Sequence, residues 1–308
     1  MSAFFQKFDE LFDELIDTTQ PPELLASGFI WTEGPVWMND TLYFNDIPSK
    51  KMMKWQEQIG VNVALENNEF ANGNTIDKSG RMVSCEHGGR RVLCRIDPEN
   101  EQAIEILADK YRGKRLNSPN DVIVRSDGSV WFTDPPYGIN SEVEGYPANS
   151  EMDGCYVFCV LNDGSIHVVA RDFDKPNGLA FSPDEKKLYI ADSGAIRGAS
   201  FPEIDYSLPH HIRVFDVEGI TLSNSRIFSV ITPGVPDGLR VDLAGQVWTS
   251  ALDGVHCLDS NGQCLGKIRL PKQTSNLCFG GSNGTDMFIT SSDSVWRVRT
   301  KVKDAANQ

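Results

Sequence analysis

The stretch 117–138, N-S-P-N-D-V-I-V-R-S-D-G-S-V-W-F-T-D-P-P-Y-G, carries the fold signal of this chain. A polar knot, Ser118-Pro119-Asn120-Asp121, precedes an apolar run, Val122-Ile123-Val124. Ser126-Asp127-Gly128 supplies a turn, Val130-Trp131-Phe132 a second run, and Asp134 closes the unit before Pro135-Pro136. Two runs of β-branched and aromatic residues joined by a Gly-containing turn predict a β-hairpin. Antiparallel pairing brings the chain back to the end it left, so Asn120 and Asp134 are expected at one rim.

The unit recurs along the chain. Glu33-Gly34-Pro35 leads to Leu42–Asp46, Asn72-Gly73-Asn74 to Met82–His87, and Asn177-Gly178-Leu179 to Leu188–Asp192. Asp237-Gly238-Leu239 leads to Val247–Ser250, and Asn276-Leu277-Cys278 to Met287–Thr290. The six units start at 33, 72, 120, 177, 237 and 276. Further strand-like runs follow the hairpins, as in Cys155–Val160 and Ile212–Val217. About four strands per unit at this period is the signature of propeller blades. The expected fold is all-β: a six-bladed β-propeller, residues 25–303, preceded by an N-terminal helical strap, residues 1–24. Two polar inserts, 139–152 and 195–210, are too long for hairpin loops and are expected as lids over a rim.

Residues 3–16 place Phe4, Phe5, Phe8, Leu11, Phe12, Leu15 and Ile16 at helical spacing among acids, which predicts one amphipathic helix. A strap over the edge of the propeller is the preferred reading. A partner or membrane helix is the alternative, and the acidic polar face argues against the membrane version.

The chain has 308 residues, 29 basic against 43 acidic side chains and a formal charge of −14, which argues against nucleic acid and anionic membrane surfaces as partners. No apolar run is long enough to span a bilayer, and the acidic N-terminus lacks a signal-peptide pattern, so a cytoplasmic location is expected. Seven scattered cysteines form no disulfide framework. Cys155 and Cys159 lie on one predicted strand, roughly 13 Å apart, and read as buried small residues rather than as half of a zinc site.

The first residues of the six units, Glu33, Asn72, Asn120, Asn177, Asp237 and Asn276, are all acids or amides. Equivalent positions on six inner strands form a ring at one depth of the channel. A ring of oxygen donors with two carboxylates suits a hard divalent cation such as Ca²⁺. Asn-Gly and Asp-Gly are also ordinary turn dipeptides. Each hairpin, however, has its own turn at the opposite end, for example Asn39-Asp40 and Ser126-Asp127-Gly128. A second tier returns thirteen to fifteen residues later and includes Asp46, Asp134 and Asp192. These are expected either to orient the ligands from behind or simply to cap backbone groups.

Glu33-Gly34-Pro35, Ser118-Pro119-Asn120-Asp121, the segment from Phe132 to Gly138, Pro176-Asn177-Gly178 and Pro236-Asp237-Gly238 occur in that order. In this set the chain resembles the gluconolactonase, senescence-marker-protein and luciferin-regenerating-enzyme-like family, and most of all its bacterial gluconolactonase branch. The resemblance implies Glu33, Asn120, Asn177 and Asp237 as ligands of a divalent metal, usually Ca²⁺, with Zn²⁺, Mn²⁺ and Mg²⁺ as alternatives. It also implies hydrolysis of a small-molecule lactone with Asp237 as general base. Ser118 stands where sugar-lactone members often carry Arg. Ser118 itself, with His87, Tyr137 and Asn74 from neighbouring blades, is expected to line the substrate pocket instead. An ordinary strand-end histidine is the other reading of His87.

The chemistry fits these residues. A bound cation polarises a carbonyl and a carboxylate beside it takes a proton from water. Direct attack by Asp237 is a variant left open, and no Gly-x-Ser-x-Gly elbow points to a serine mechanism. The expected activity is a metal-dependent lactonase of the glucono-1,5-lactone type. An esterase or phosphotriesterase using the same site, and a non-catalytic binding propeller with a structural metal, are the alternatives.

Overall fold

A computed structural model describes residues 4–197 and 203–306. Among the described residues six antiparallel sheets form the blades; their strands run in chain order from the channel outward, except that blades 5 and 6 each take their outermost strand from the N-terminal segment. Blade 1 is Thr32–Met38, Thr41–Asp46, Lys51–Gln56 and Gly60–Leu65, and blade 2 is Ala71–Ile76, Met82–Glu86, Val92–Asp97 and Asn100–Ala108. Blade 3 is Val122–Val124, Val130–Asp134, Cys155–Val160 and Ile166–Phe173, and blade 4 is Pro176–Phe181, Lys187–Asp192, His211–Glu218 and Thr221–Val230. Blade 5 is Leu239–Val241, Val247–Ala251, Gly254–Leu258 and Cys264–Arg269. Blade 6 takes Thr274–Gly280, Asp286–Ser291 and Ser294–Arg299 from the end of the chain, and its outermost strand, Glu23–Ser27, from the beginning. That pairing closes the ring. Each inner strand packs beside the next, and the sixth lies beside the first.

The alternating strand pattern explains where the core sits. Apolar residues project from both faces of every blade, and each face meets a neighbour. The buried hydrophobic residues accordingly fall into six clusters, each filling the wedge between two adjacent blades. Trp131 and Trp248, both fully buried, sit in two of these wedges. All seven cysteines are free, and Cys155 and Cys159 share one strand.

The N-terminal segment differs from the sequence reading. Phe5–Lys7 is a strand, paired through Phe5↔Ile268 with the outer edge of blade 5, and the helix is confined to Leu11–Leu15. Ala3 lies outside the described residues. An open sheet edge offers unpaired backbone groups, and pairing with it outweighs a helical pattern one face wide. Phe12, Leu15 and Ile16 still go inward, filling the wedge between blades 5 and 6 with Trp248. Among the described residues no helix is long and apolar enough to cross a membrane.

Candidate functional site

The inner strands enter the channel at the mouth where the ring residues stand. Glu33, Asn72, Asn120, Asn177 and Asn276 are all buried there, while Asp237 keeps more contact with solvent. In four blades the register slips beside the ring residue, between Glu33 and Val36, Ala71 and Asn74, Pro176 and Leu179, and Thr274 and Asn276. Such bulges bend a strand and re-aim its side chains. The Gly after the ring residue is a packing requirement, not a turn. A Cβ on Gly73 would lie 2.5 Å from the Asn120 carbonyl oxygen, and one on Gly178 2.3 Å from that of Asp237. Through this gap Gly73 N–H donates to Asn120 at 2.7 Å, and Gly178 N–H to Asp237 at 3.0 Å, lacing neighbouring inner strands together.

The second tier holds this ring in place by one repeated device. Asp46 accepts the N–H groups of Ile30 and Trp31 at 3.1 and 3.0 Å. Asp134 accepts those of Asn117 and Ser118 at 2.8 and 2.9 Å. Asp192 accepts those of Asp174 and Lys175 at 3.1 and 3.0 Å. In each case the two N–H groups lie three and two positions before Glu33, Asn120 or Asn177. The carboxylates therefore anchor the backbone that delivers the ring residues.

Two of the residues expected to line the substrate pocket are not free to do so. Ser118 is fully buried; its Oγ donates to the Pro135 carbonyl at 2.6 Å and accepts from Gly138 N–H at 2.9 Å. Asn74 Nδ2 donates to the Gly34 carbonyl at 2.7 Å, and the residue lines a cavity of about 650 Å³ at the opposite mouth, with Arg240 and Asp304. His87 and Tyr137 do reach the ring. His87 Nε2 is 3.4 Å from Asn72 Nδ2. Tyr137, which opens the short helix Tyr137–Asn140, has Asn177 and Ser193 as polar neighbours and lies within the field of Asp237.

Electrostatically the ring is strongly acidic. Burial first, and then the charge of Asp237, push the Glu33 carboxyl well above its ordinary range. Burial, followed by the charges of Glu144 and Asp121, does the same to Asp237. Two of these contributors were not singled out from the sequence. Asp121 is buried with Oδ2 unpartnered and lies 3.8 Å from Arg240 Nη1. Glu144 comes from the first insert, and burial pushes its carboxyl up to about 7. Asp121 follows a ring residue directly, which was a usable signal; Glu144 sits in a loop without periodicity, which offered none. His87 is held neutral, burial pushing it down to about 4. Among the described residues no three His, Cys, Asp or Glu groups cluster as a metal site. The carboxylates of the ring are Glu33 and Asp237 alone, and its other donors are amides.

The donor set fits a hard cation. Two carboxylates, both pushed up by burial and by neighbouring acids, lack a countercharge, and the Asn120 and Asn177 amides beside them offer neutral oxygens.

Comparison with known proteins agrees with this architecture. The profile of the SMP-30/Gluconolactonase/LRE-like region matches residues 31–293. The gluconolactonase of Zymomonas mobilis subsp. mobilis is 34% identical, the alignment covering 96% of this chain and 85% of that protein. A pentonolactonase of Haloferax volcanii is 26% identical over 84% of this chain and 80% of its own. A gluconolactonase structure from Xanthomonas campestris superposes with a TM-score of 0.86 at 34% identity, covering 96% of this chain and 94% of that one. The calcium-binding regucalcin of Agrobacterium tumefaciens shares the fold, with a TM-score of 0.71 at 16% identity, over 92% and 94% of the two chains. The chain belongs to the SMP-30/gluconolactonase/LRE-like family.

Proposed function

We propose that this protein is a lactone hydrolase that opens a sugar lactone of the glucono-1,5-lactone type to its aldonic acid at the ring of Glu33, Asn120, Asn177 and Asp237. The observation that carries the reading is the pair Glu33 and Asp237, two carboxylates sharing one buried channel without a countercharge. The lactonase names of the 34% and 26% identical relatives support the reaction class. Those four residues would hold a divalent cation, with Ca²⁺ the best match to oxygen donors and Zn²⁺, Mn²⁺ or Mg²⁺ as alternatives. Such a cation supplies Lewis-acid polarisation of a carbonyl.

The residues of the chain supply the rest. Asp237, the ring member most open to solvent, takes a proton from the attacking water; in the variant route it attacks the carbonyl carbon itself, and water then hydrolyses the resulting acyl-enzyme anhydride to free the acid and Asp237. The proton returns to the ring oxygen as the C–O bond breaks, and the ring opens to a hydroxy acid. His87, neutral at pH 7, offers a hydrogen bond at the mouth without adding charge. Tyr137 offers a hydroxyl from the next blade, its proton firmly held because burial and then Asp237 push its pKa well up.

The test is acid release from glucono-1,5-lactone on chelator-stripped protein, with spontaneous opening subtracted and Ca²⁺ added back. Activity is expected to vanish on stripping and return with the cation. Full activity in the stripped protein refutes the metal's role, and no activity in either state refutes the substrate.

A further inference from the structure

The first insert, 139–152, leaves blade 3 and crosses the mouth to blades 1 and 2. Tyr146 is its anchor. The Tyr146 ring meets Phe70 edge-on at 5.3 Å, and Lys50 Nζ donates to Tyr146 Oη at 2.9 Å while lying 4.5 Å from the Phe70 ring centre. Gly145 presses the insert against its own root, where a Cβ would come 2.1 Å from the Gly138 carbonyl oxygen. Glu144, just before this contact, is thereby aimed into the mouth.

Three polar groups converge there with their hydrogen bonding incomplete. Among the described residues nothing donates a hydrogen bond to the Glu144 carboxylate. The nearest ring nitrogen, Nδ1 of the neutral His87, is 4.0 Å from Oε2, beyond hydrogen-bond reach. His87 Nδ1 and Tyr137 Oη are themselves buried and unpartnered. Glu144 feels Lys175, whose ammonium lies 5.6 Å from the Tyr137 ring centre and donates to the Ile196 carbonyl of the second insert. Glu144 itself is 30% exposed at the mouth; native proteins rarely leave buried polar groups such as His87 Nδ1 and Tyr137 Oη without partners, and such groups at a channel mouth mark where a ligand supplies the missing bonds. The chemistry of the cluster restricts that ligand. A carboxylate only accepts, so its partner must donate. Glu33, Asp121 and Asp237 below make the mouth hostile to anions. A neutral donor of several hydrogen bonds is a polyhydroxylated ring.

We propose that Glu144 is a specificity-determining residue whose carboxylate, carried in by the insert, accepts hydrogen bonds from ring hydroxyls of the lactone, with His87 and Tyr137 beside it. The proposal rests on the lactonase reading and names what selects the substrate within it. An unsubstituted lactone enters the same mouth but gains nothing from Glu144.

The test compares glucono-1,5-lactone with δ-valerolactone, which has no ring hydroxyls, in the wild type, Glu144→Gln and Glu144→Ala. The ratio of kcat/KM for the hydroxylated over the plain lactone is expected to fall by about tenfold or more in Glu144→Ala. The fall should come mainly through KM, with Glu144→Gln, which keeps one oxygen acceptor, in between. An unchanged ratio overturns the proposal, whether both rates fall together, as a collapsed insert would cause, or neither falls. If the wild type opens neither lactone, the lactonase reading fails, and calorimetry with 1,5-anhydro-D-glucitol, a ring polyol without a carbonyl, decides. Binding weakened about tenfold by Glu144→Ala upholds the hydroxyl contact; equal binding, or none to the wild type, overturns it.

Discussion

Replacing Asp192 by Ala removes the anchor of the segment that delivers Asn177. The carboxylate accepts three backbone N–H groups, from Asp174 at 3.1 Å, Lys175 at 3.0 Å and Gly194 at 3.2 Å. Each N–H left without a partner costs about 1–3 kcal/mol if it is sealed from water. Gly194 is buried, but Asp174 and Lys175 are half-buried, and water recovers part of their loss. The expected total is about 2–4 kcal/mol. Asp192→Asn can direct its one carbonyl oxygen at Lys175 and Gly194, which share Oδ1, and turns its amide against Asp174 alone. Its cost is therefore about half as large. Urea unfolding with linear extrapolation measures both variants, and the slope should stay at the wild-type value. Because the same backbone leads to Asn177, lactone turnover should fall in the same order, Ala below Asn below wild type. An Asp192→Ala protein within about 0.5 kcal/mol of wild type refutes the anchor. Equal losses for Asn and Ala would show that charge, rather than the acceptor geometry, is what holds the segment.

Three further outcomes are expected. Asp237→Asn should lose about 10²–10⁴-fold in lactone turnover, the usual worth of a proton acceptor, while circular dichroism and Tm stay near wild type; a full rate retained by this variant removes Asp237 from the chemistry. Gly73→Ala sets a methyl group 2.5 Å from the Asn120 carbonyl oxygen and 2.7 Å from Asp121 Cα, both backbone atoms unable to step aside; we expect about 2 kcal/mol or more of destabilisation and weaker cation binding by titration calorimetry, and a silent variant would show that the inner strands can part. Asp253 is pushed up by burial but held lower, at about 2, by His256 at 2.7 Å and Lys267 at 3.1 Å. Since its folded pKa lies below the ordinary 3.8, its stabilisation is complete above pH 3.8 and lost as pH falls through 2. After discounting for solvent screening it amounts to about 1 kcal/mol, and a wild-type advantage over Asp253→Asn that stays constant from pH 5 to pH 2 would contradict the pairing.

The blades were legible because each hairpin repeats apolar alternation, a turn and a polar start, and a closed ring of such units has one arrangement. The ring residues were legible for the same reason: equivalent places in equivalent units end at equivalent depth. What escaped was set by local geometry that spacing does not encode. Asn72 and Asn74, two apart, would share a face of a regular strand, but the register slip before Asn74 sends its amide to the Gly34 carbonyl. Ser118 was captured by Pro135 and Gly138, a contact made only after the chain turns back. Phe5 followed helical spacing, yet its fate depended on an edge strand supplied by Cys264–Arg269, more than two hundred residues away. Glu144 reached the mouth because Tyr146 is pinned on Phe70, a tertiary fact with no trace in the loop's own composition.

The closing strand Glu23–Ser27, paired with Ser294–Arg299, makes the circle a clasp between the two ends of the chain. Thr32 Oγ1 adds to the seam, donating to Ser292 at 3.0 Å and Ser294 at 3.1 Å. Glu33 and Asp237 lie far apart in the chain and on different blades, and the charge of Asp237 pushes Glu33 up. A cation held by both, as proposed, would offset this repulsion and so stabilise the closed circle. Loss of one blade takes a ring residue with it, and loss of the first thirty residues takes the strand that closes the circle.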